Sequence, residues 1–199
     1  MSQSNTSTQK RNFLSWVFIS SDEPRLRAGW RVLIQFTLYI FLGIVFFIIS
    51  QAVGTSGSVS SILDRIFDLL AVTGSVYIAR RWLDKRSFES LGLKVSRRSF
   101  IDLFIGIGIT FLQFVFIFAV MLGLGWLTFE GFAWQFDPIA TVVTSALTFF
   151  IVFVFVGWNE ELLSRGYQLQ TIASGLNLYW GVVISSVIFG WMHLGNPNS

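Results

Sequence analysis

The chain has 199 residues, of which 53% are hydrophobic, 17% aromatic and only 13% charged, with a mean hydropathy of +0.66. Soluble domains carry about 25% charged residues, so an ordinary soluble enzyme is excluded and an integral membrane protein is implied. Cysteine is absent, which excludes disulfides, thiolate nucleophiles and Cys-ligated metal centres, and the net charge of +3 sits beside apolar runs rather than in a nucleic-acid-binding patch.

Residues 1–29 are polar and read as a cytoplasmic N-terminal segment. The stretch KRNFLSWVFISSDEP has the charge order of a signal peptide. Its apolar part is short, however, and Asp22, Glu23 and Pro24 stand where small residues should define a cleavage site. It predicts instead a short interfacial helix with Phe13, Trp16 and Val17 on one side.

Residues 30–199 read as one membrane domain: an all-α polytopic bundle of about five spans. A span needs about 20 mainly apolar residues. The candidates are Val32–Val53, ended by GTSGS, then Ile62–Trp82, which carries Asp64, Arg65 and Asp68 near its start, then Leu103–Leu127. The fourth starts after Asp137-Pro138 and keeps a helical pattern to about Ala173. SGLN then breaks the helix, and the fifth span runs from about Leu178 to Leu194, with Pro197 marking its end.

Of the 14 Lys and Arg residues, Lys10, Arg11, Arg25, Arg27 and Arg31 precede or open the first span. Arg80, Arg81, Lys85, Arg86, Lys94, Arg97 and Arg98 crowd the loop after the second. The loops GTSGSVSS and TFEGFAWQFDP have none. The positive-inside rule therefore predicts a cytoplasmic N-terminus and 80–99 loop, and by parity a cytoplasmic turn at 174–178. Asp64, Arg65 and Asp68 are expected to form an interfacial cluster. The basic loop is expected to serve topology, with anionic-lipid contact in addition.

WNEELLSRGY, Trp158 to Tyr167, follows ten residues without a charge. Intramembrane charges cost roughly 2.5–3.5 kcal/mol each, so they call for a purpose. Glu160 and His193, the only histidine, lie at similar distances before and after the Ser174–Asn177 turn. At 1.5 Å per residue, each sits roughly 25 Å along its own helix, so an antiparallel hairpin brings them to one depth. Glu161 and Arg165 are i,i+4 with the acid first, the better orientation for an ion pair. Glu160 points about 100° away and is the carboxylate left for chemistry as a general base. Phe189, His193 and Asn196 share a face, where imidazole and amide donors suit a developing oxyanion. The plainer alternatives are a structural ion pair for Glu161–Arg165, an interhelical hydrogen bond for His193 and a helix end for Asn196. Glu161→Gln is expected to cost roughly 3–5 kcal/mol if that pair is buried. Zinc is disfavoured, because one histidine and no cysteine leave carboxylates to supply most ligands. No cofactor is expected.

EELLSRGY followed by FGWMHLGNP resembles the CAAX-processing and bacteriocin-processing (CPBP) family of intramembrane endopeptidases. Its Glu-Glu-x-x-x-Arg motif is matched by Glu160, Glu161 and Arg165, and its Phe-x-x-x-His motif by Phe189 and His193. PRLRAGWRVLI and RRWLDKRSFESLGL are similar to the family's upstream segments. The resemblance implies peptide-bond hydrolysis in the membrane. Glu160 activates water and His193 assists, together with a later His-x-x-x-Asn pair. No second histidine precedes Ser199, so a C-terminally incomplete site is expected, with little or no proteolysis by the 199-residue chain alone. Expected partners are membrane lipids and a peptide or protein substrate, with homo-oligomerisation left open. The expected location is a bacterial plasma membrane. Two other classes compete: a non-catalytic partner-binding protein, as in bacteriocin self-immunity, and a proton-coupled transporter using Glu160 and His193 as a relay. Proteolysis by purified protein rules against the first, and substrate-dependent proton flux supports the second.

Overall fold

A computed structural model describes residues 12–20, 23–54 and 58–196, and of residues 58–61 the backbone alone. Lys10, Arg11, Asp22, residues 55–57 and Pro197, which entered the topology and helix-end expectations, lie outside the described residues. Among those residues the chain is helical and no strand occurs. The helices are α1 (Phe13–Phe18), α2 (Ala28–Val53), α3 (Ser58–Ile78), α4 (Arg97–Gly123), α5 (Ile139–Glu160), α6 (Leu169–Gly175) and α7 (Leu178–His193). Two of them run on through wide π-helical turns, α3 into Ala79–Leu83 and α5 into Glu161–Gln168.

Three stretches are long and apolar enough to cross a membrane: Ala28–Val53, Arg97–Gly123 and the continuous Ile139–Gly175. The other two expected spans are helices of a different kind. α3 has the length but carries Asp64, Arg65 and Asp68. α7 has 16 residues, about 24 Å at helical rise, less than the roughly 30 Å of a bilayer core.

The chain divides into two compact units. Residues 92–154 hold α4, the connection that follows it and most of α5. Residues 1–91 and 155–199 hold the rest, and both motifs lie in this second unit.

At its start, α1 turns back so that Ile19 and Leu26 pair as an isolated antiparallel bridge. Trp30 in α2 then stacks on Phe18 with ring centroids 4.9 Å apart and donates through Nε1 to the Val17 carbonyl at 3.1 Å. α2 packs along α3, and α6 along α7. Ala71, Ser75 and Ala79 form a fully buried stripe at i, i+4 and i+8 of α3 and its π turn. Small side chains at that spacing let neighbouring backbones approach, which substitutes for hydrophobic driving force inside a membrane. Gln35 of α2 uses the approach by donating to Ser75 Oγ at 3.1 Å.

A buried ionic knot closes one end of this unit. Asp84, 2% exposed, accepts from Arg31 of α2 and, at 3.0 Å, from Arg80 of the π turn. Arg31 also reaches Ser174 Oγ at 3.0 Å, and Arg80 reaches Ser90 Oγ at 2.8 Å and Gln170 Oε1 at 3.3 Å. Arg80 is therefore a core residue, not a loop charge, contrary to the expectation drawn from the basic loop. The π turn is what aims it: the Asp84 amide bonds the Ala79 carbonyl five residues back.

The α6–α7 hairpin depends on Gly181. A Cβ there would stand 2.8 Å from Ala173 Cβ and 3.1 Å from the Leu169 carbonyl. Gly181→Ala is expected to destabilise the unit by about 1–3 kcal/mol, the usual cost of overpacking. Gly190→Ala, with nothing within 4 Å of the added carbon, is expected to be neutral. Thermal unfolding in detergent micelles compares the two, and equal midpoints would contradict the close approach.

Candidate active site

The Glu160–Arg165 segment begins where α5 gives way to its π turn. Leu169 donates its amide to the Ser164 carbonyl, five residues back. Such turns commonly mark functional sites, since the extra residue per turn re-aims side chains. Gly166 permits this one, because a Cβ there would press to 3.3 Å from the Glu161 carbonyl. Leu162, Leu163, Ser164, Tyr167 and Gln168 face the interior. Trp158 fixes the approach to the turn by donating to Thr73 Oγ1 of α3 at 2.9 Å.

Glu160 and His193 come together. Glu160 Oε1 lies 3.4 Å from His193 Nε2, and both side chains are about two-thirds buried. His193 Nδ1 lies 2.8 Å from the Phe189 carbonyl oxygen. That oxygen can only accept, so Nδ1 carries a proton and donates it. In neutral imidazole, Nε2 would then be an acceptor facing a carboxylate that is also an acceptor. The contact is satisfied only when one proton resides between them, on Nε2 or on Glu160. The Phe189 ring packs against the imidazole at a tilt of 39°, with centroids 4.4 Å apart, and completes its support.

Both groups open into a cavity of about 300 Å³, which Phe189 and Asn196 also line. The backbone N–H of Asn196 donates to the His193 carbonyl at 3.0 Å, which holds the residue close to the imidazole.

Glu161 and Arg165 form their ion pair, but outside the cavity. Their side chains are 59% and 60% exposed, so the condition attached to a large Glu161→Gln penalty is not met. Where that open face meets water, an ion pair contributes about 0–1 kcal/mol, and Glu161→Gln is then expected to change unfolding free energy by less than about 1 kcal/mol. A loss of several kcal/mol in equilibrium unfolding would show that the pair is covered. The Arg165 guanidinium lies 5.9 Å from the ring centre of Phe189, the residue whose carbonyl holds His193.

The polar cavity residues that sequence reasoning missed as site members are Tyr39, Arg65, Asp68, Asn159 and Ser164. Asp68 accepts from Asn159 Nδ2 at 2.8 Å and from the Tyr39 hydroxyl at 3.3 Å. It is part-buried on the cavity wall, which Arg65 also lines. Asp64, its neighbour one turn earlier, accepts from Ser50 Oγ at 2.7 Å. The available signal was an acid in a membrane helix, together with an asparagine directly before the glutamate pair. Among the described residues, no three His, Asp or Glu side chains converge as metal ligands would.

Residues 142–199 match a family model described as type II CAAX prenyl endopeptidase Rce1-like. The match spans both motifs and agrees with the resemblance read from them. The upstream segments 24–34 and 80–93 lie outside it, although the structure joins them through Arg31, Arg80 and Asp84. No curated protein and no solved structure matches the chain.

Proposed function

We propose that this chain carries the base and the imidazole of an intramembrane endopeptidase that hydrolyses a peptide bond with a glutamate-activated water. The observation that carries the reading is the Glu160–His193 contact on a cavity wall, within the matched residues.

The shared proton selects the working state. Glu160 can act as a base only as a carboxylate, so the proton belongs on His193 Nε2. A water at the pair gives one proton to Glu160 while its oxygen bonds to the substrate carbonyl carbon. The displaced electron pair moves to the carbonyl oxygen, where Nε2–H donates, with Asn196 as a second donor. When the tetrahedral intermediate collapses, the C–N bond breaks. The amine nitrogen takes the proton held by Glu160, leaving a carboxylic acid and an amine. Arg165 positions the imidazole through Phe189, and Glu161 holds Arg165. A cavity of about 300 Å³ has room for the water beside a peptide segment, since a water occupies about 30 Å³ of liquid volume. The reading uses no metal. Its substrates are membrane-associated peptides, of CAAX type or related to bacteriocin processing. Its setting is a bacterial plasma membrane with the N-terminus in the cytoplasm.

Single-turnover cleavage in ¹⁸O-labelled water tests the route. One ¹⁸O is expected in the new C-terminal carboxylate and none in Glu160. Label in the Glu160 side chain would show a covalent anhydride and overturn water activation. Orientation is tested by labelling in spheroplasts. Lys94→Cys should resist an impermeant thiol reagent added outside and Glu130→Cys should react; the opposite pattern reverses the topology.

A further inference from the structure

A second cavity, of about 440 Å³, lies away from Glu160, between the start of α2, the end of α6 and the face of α7. Its size falls in the range of small-molecule sites, about 300–1,000 Å³. Val32, Ile172, Ile184 and Ile188 give it an apolar floor. Its mouth is at the end of α6, where a Cβ on Gly175 would stand 2.5 Å from Ala28 Cβ. Ile188 lies ten residues into α7, about 15 Å from its start, so the floor extends well along the helices.

Arg27 stands at the mouth, one residue before the apolar helix α2 begins. Among the described residues it has no carboxylate partner, and its Nε is buried without a hydrogen-bond acceptor. Trp16 of α1 lies beneath its guanidinium at 5.3 Å and holds it over the opening. This contrasts with Arg25, Arg31 and Arg80, each of which has an acidic partner. A guanidinium with no carboxylate partner among the described residues, over a long apolar slot at the end of a membrane helix, is complementary to an anionic amphiphile.

We propose that this groove binds one anionic phospholipid, with its phosphate on Arg27 and an acyl chain along Ile184 and Ile188. The site is separate from the proposed active site and does not depend on proteolysis.

The chain is placed in nanodiscs of equal phosphatidylglycerol and phosphatidylcholine, and retained lipids are counted by native mass spectrometry. One phosphatidylglycerol per chain is expected to stay bound in preference to phosphatidylcholine. Arg27→Gln should reduce that preference by about fivefold, the effect of one basic residue at an anionic membrane surface. Ile184→Trp, which fills the slot and keeps Arg27, should expel both lipids. Arg81→Gln, an exposed arginine outside the groove, should change neither. Excess inorganic phosphate should leave the lipid in place; displacement would show a free-anion site and overturn the proposal. Equal retention of the two lipids, a preference that survives Arg27→Gln, or a lipid-free dimer with a second copy over the groove would each overturn it as well.

Discussion

In a proteolytically active preparation carrying this segment, Glu160→Gln is expected to lower kcat/KM by about 10²–10⁴, the contribution of a positioned general base. The amide keeps the side-chain length and can still meet His193 Nε2, but it cannot accept the proton of water. Folding should be preserved, because the residue lines a cavity rather than a packed core. Glu160→Asp separates position from chemistry. It keeps the carboxylate but retracts it by one methylene, so the contact at 3.4 Å opens and activity should fall between wild type and Gln. Rates for Glu160→Gln within a few-fold of wild type would remove Glu160 as the base and leave the pair a structural hydrogen bond.

Asp84→Ala should produce the largest loss of stability in the chain. It strips the shared carboxylate from Arg31 and Arg80, each only 2% exposed. Removing one side of a buried ion pair costs roughly 3–5 kcal/mol, because the charge left behind keeps its desolvation penalty. Replacing the whole knot by apolar side chains should cost much less, since a buried pair is close to neutral against a well-packed isostere. Equilibrium unfolding in mixed micelles distinguishes the two. A loss below about 1 kcal/mol for Asp84→Ala would mean that water or lipid headgroups reach the arginines.

The parts of the fold legible in the sequence are those set by length and rise. The apolar run before Trp158 and the break at SGLN place one long helix and a return. The equal distances of Glu160 and His193 from that break put them side by side, as the 3.4 Å contact shows. The π turns at 79–83 and 161–168 were not legible. They are made by backbone bonds five residues apart, and no local propensity distinguishes these from bonds four apart. Asp84 sits in a basic polar stretch and reads as a loop acid; its burial is decided by Arg31, 53 residues earlier. For Glu161 and Arg165, spacing fixed the pairing, but whether the pair faces the interior is a tertiary fact. Asp68 was noticed as a charge in a span, yet its place on the cavity wall depends on Tyr39 and Asn159 from two other helices.

The separation between Arg31 and Asp84 also sets a schedule for biosynthesis. At translation rates of about 5–20 residues per second, the 53 residues between them take roughly 3–10 s to emerge. Through that interval α2 holds an arginine with no carboxylate to receive it, and α3 must be delivered before the charge is neutralised. Ser174, which also receives Arg31, arrives 143 residues after it, so the first helix is fully secured only when the motif-bearing hairpin is in place. Ribosome stalling before Asp84 should therefore leave α2 open to quality-control proteases that ignore it once Asp84 has been made.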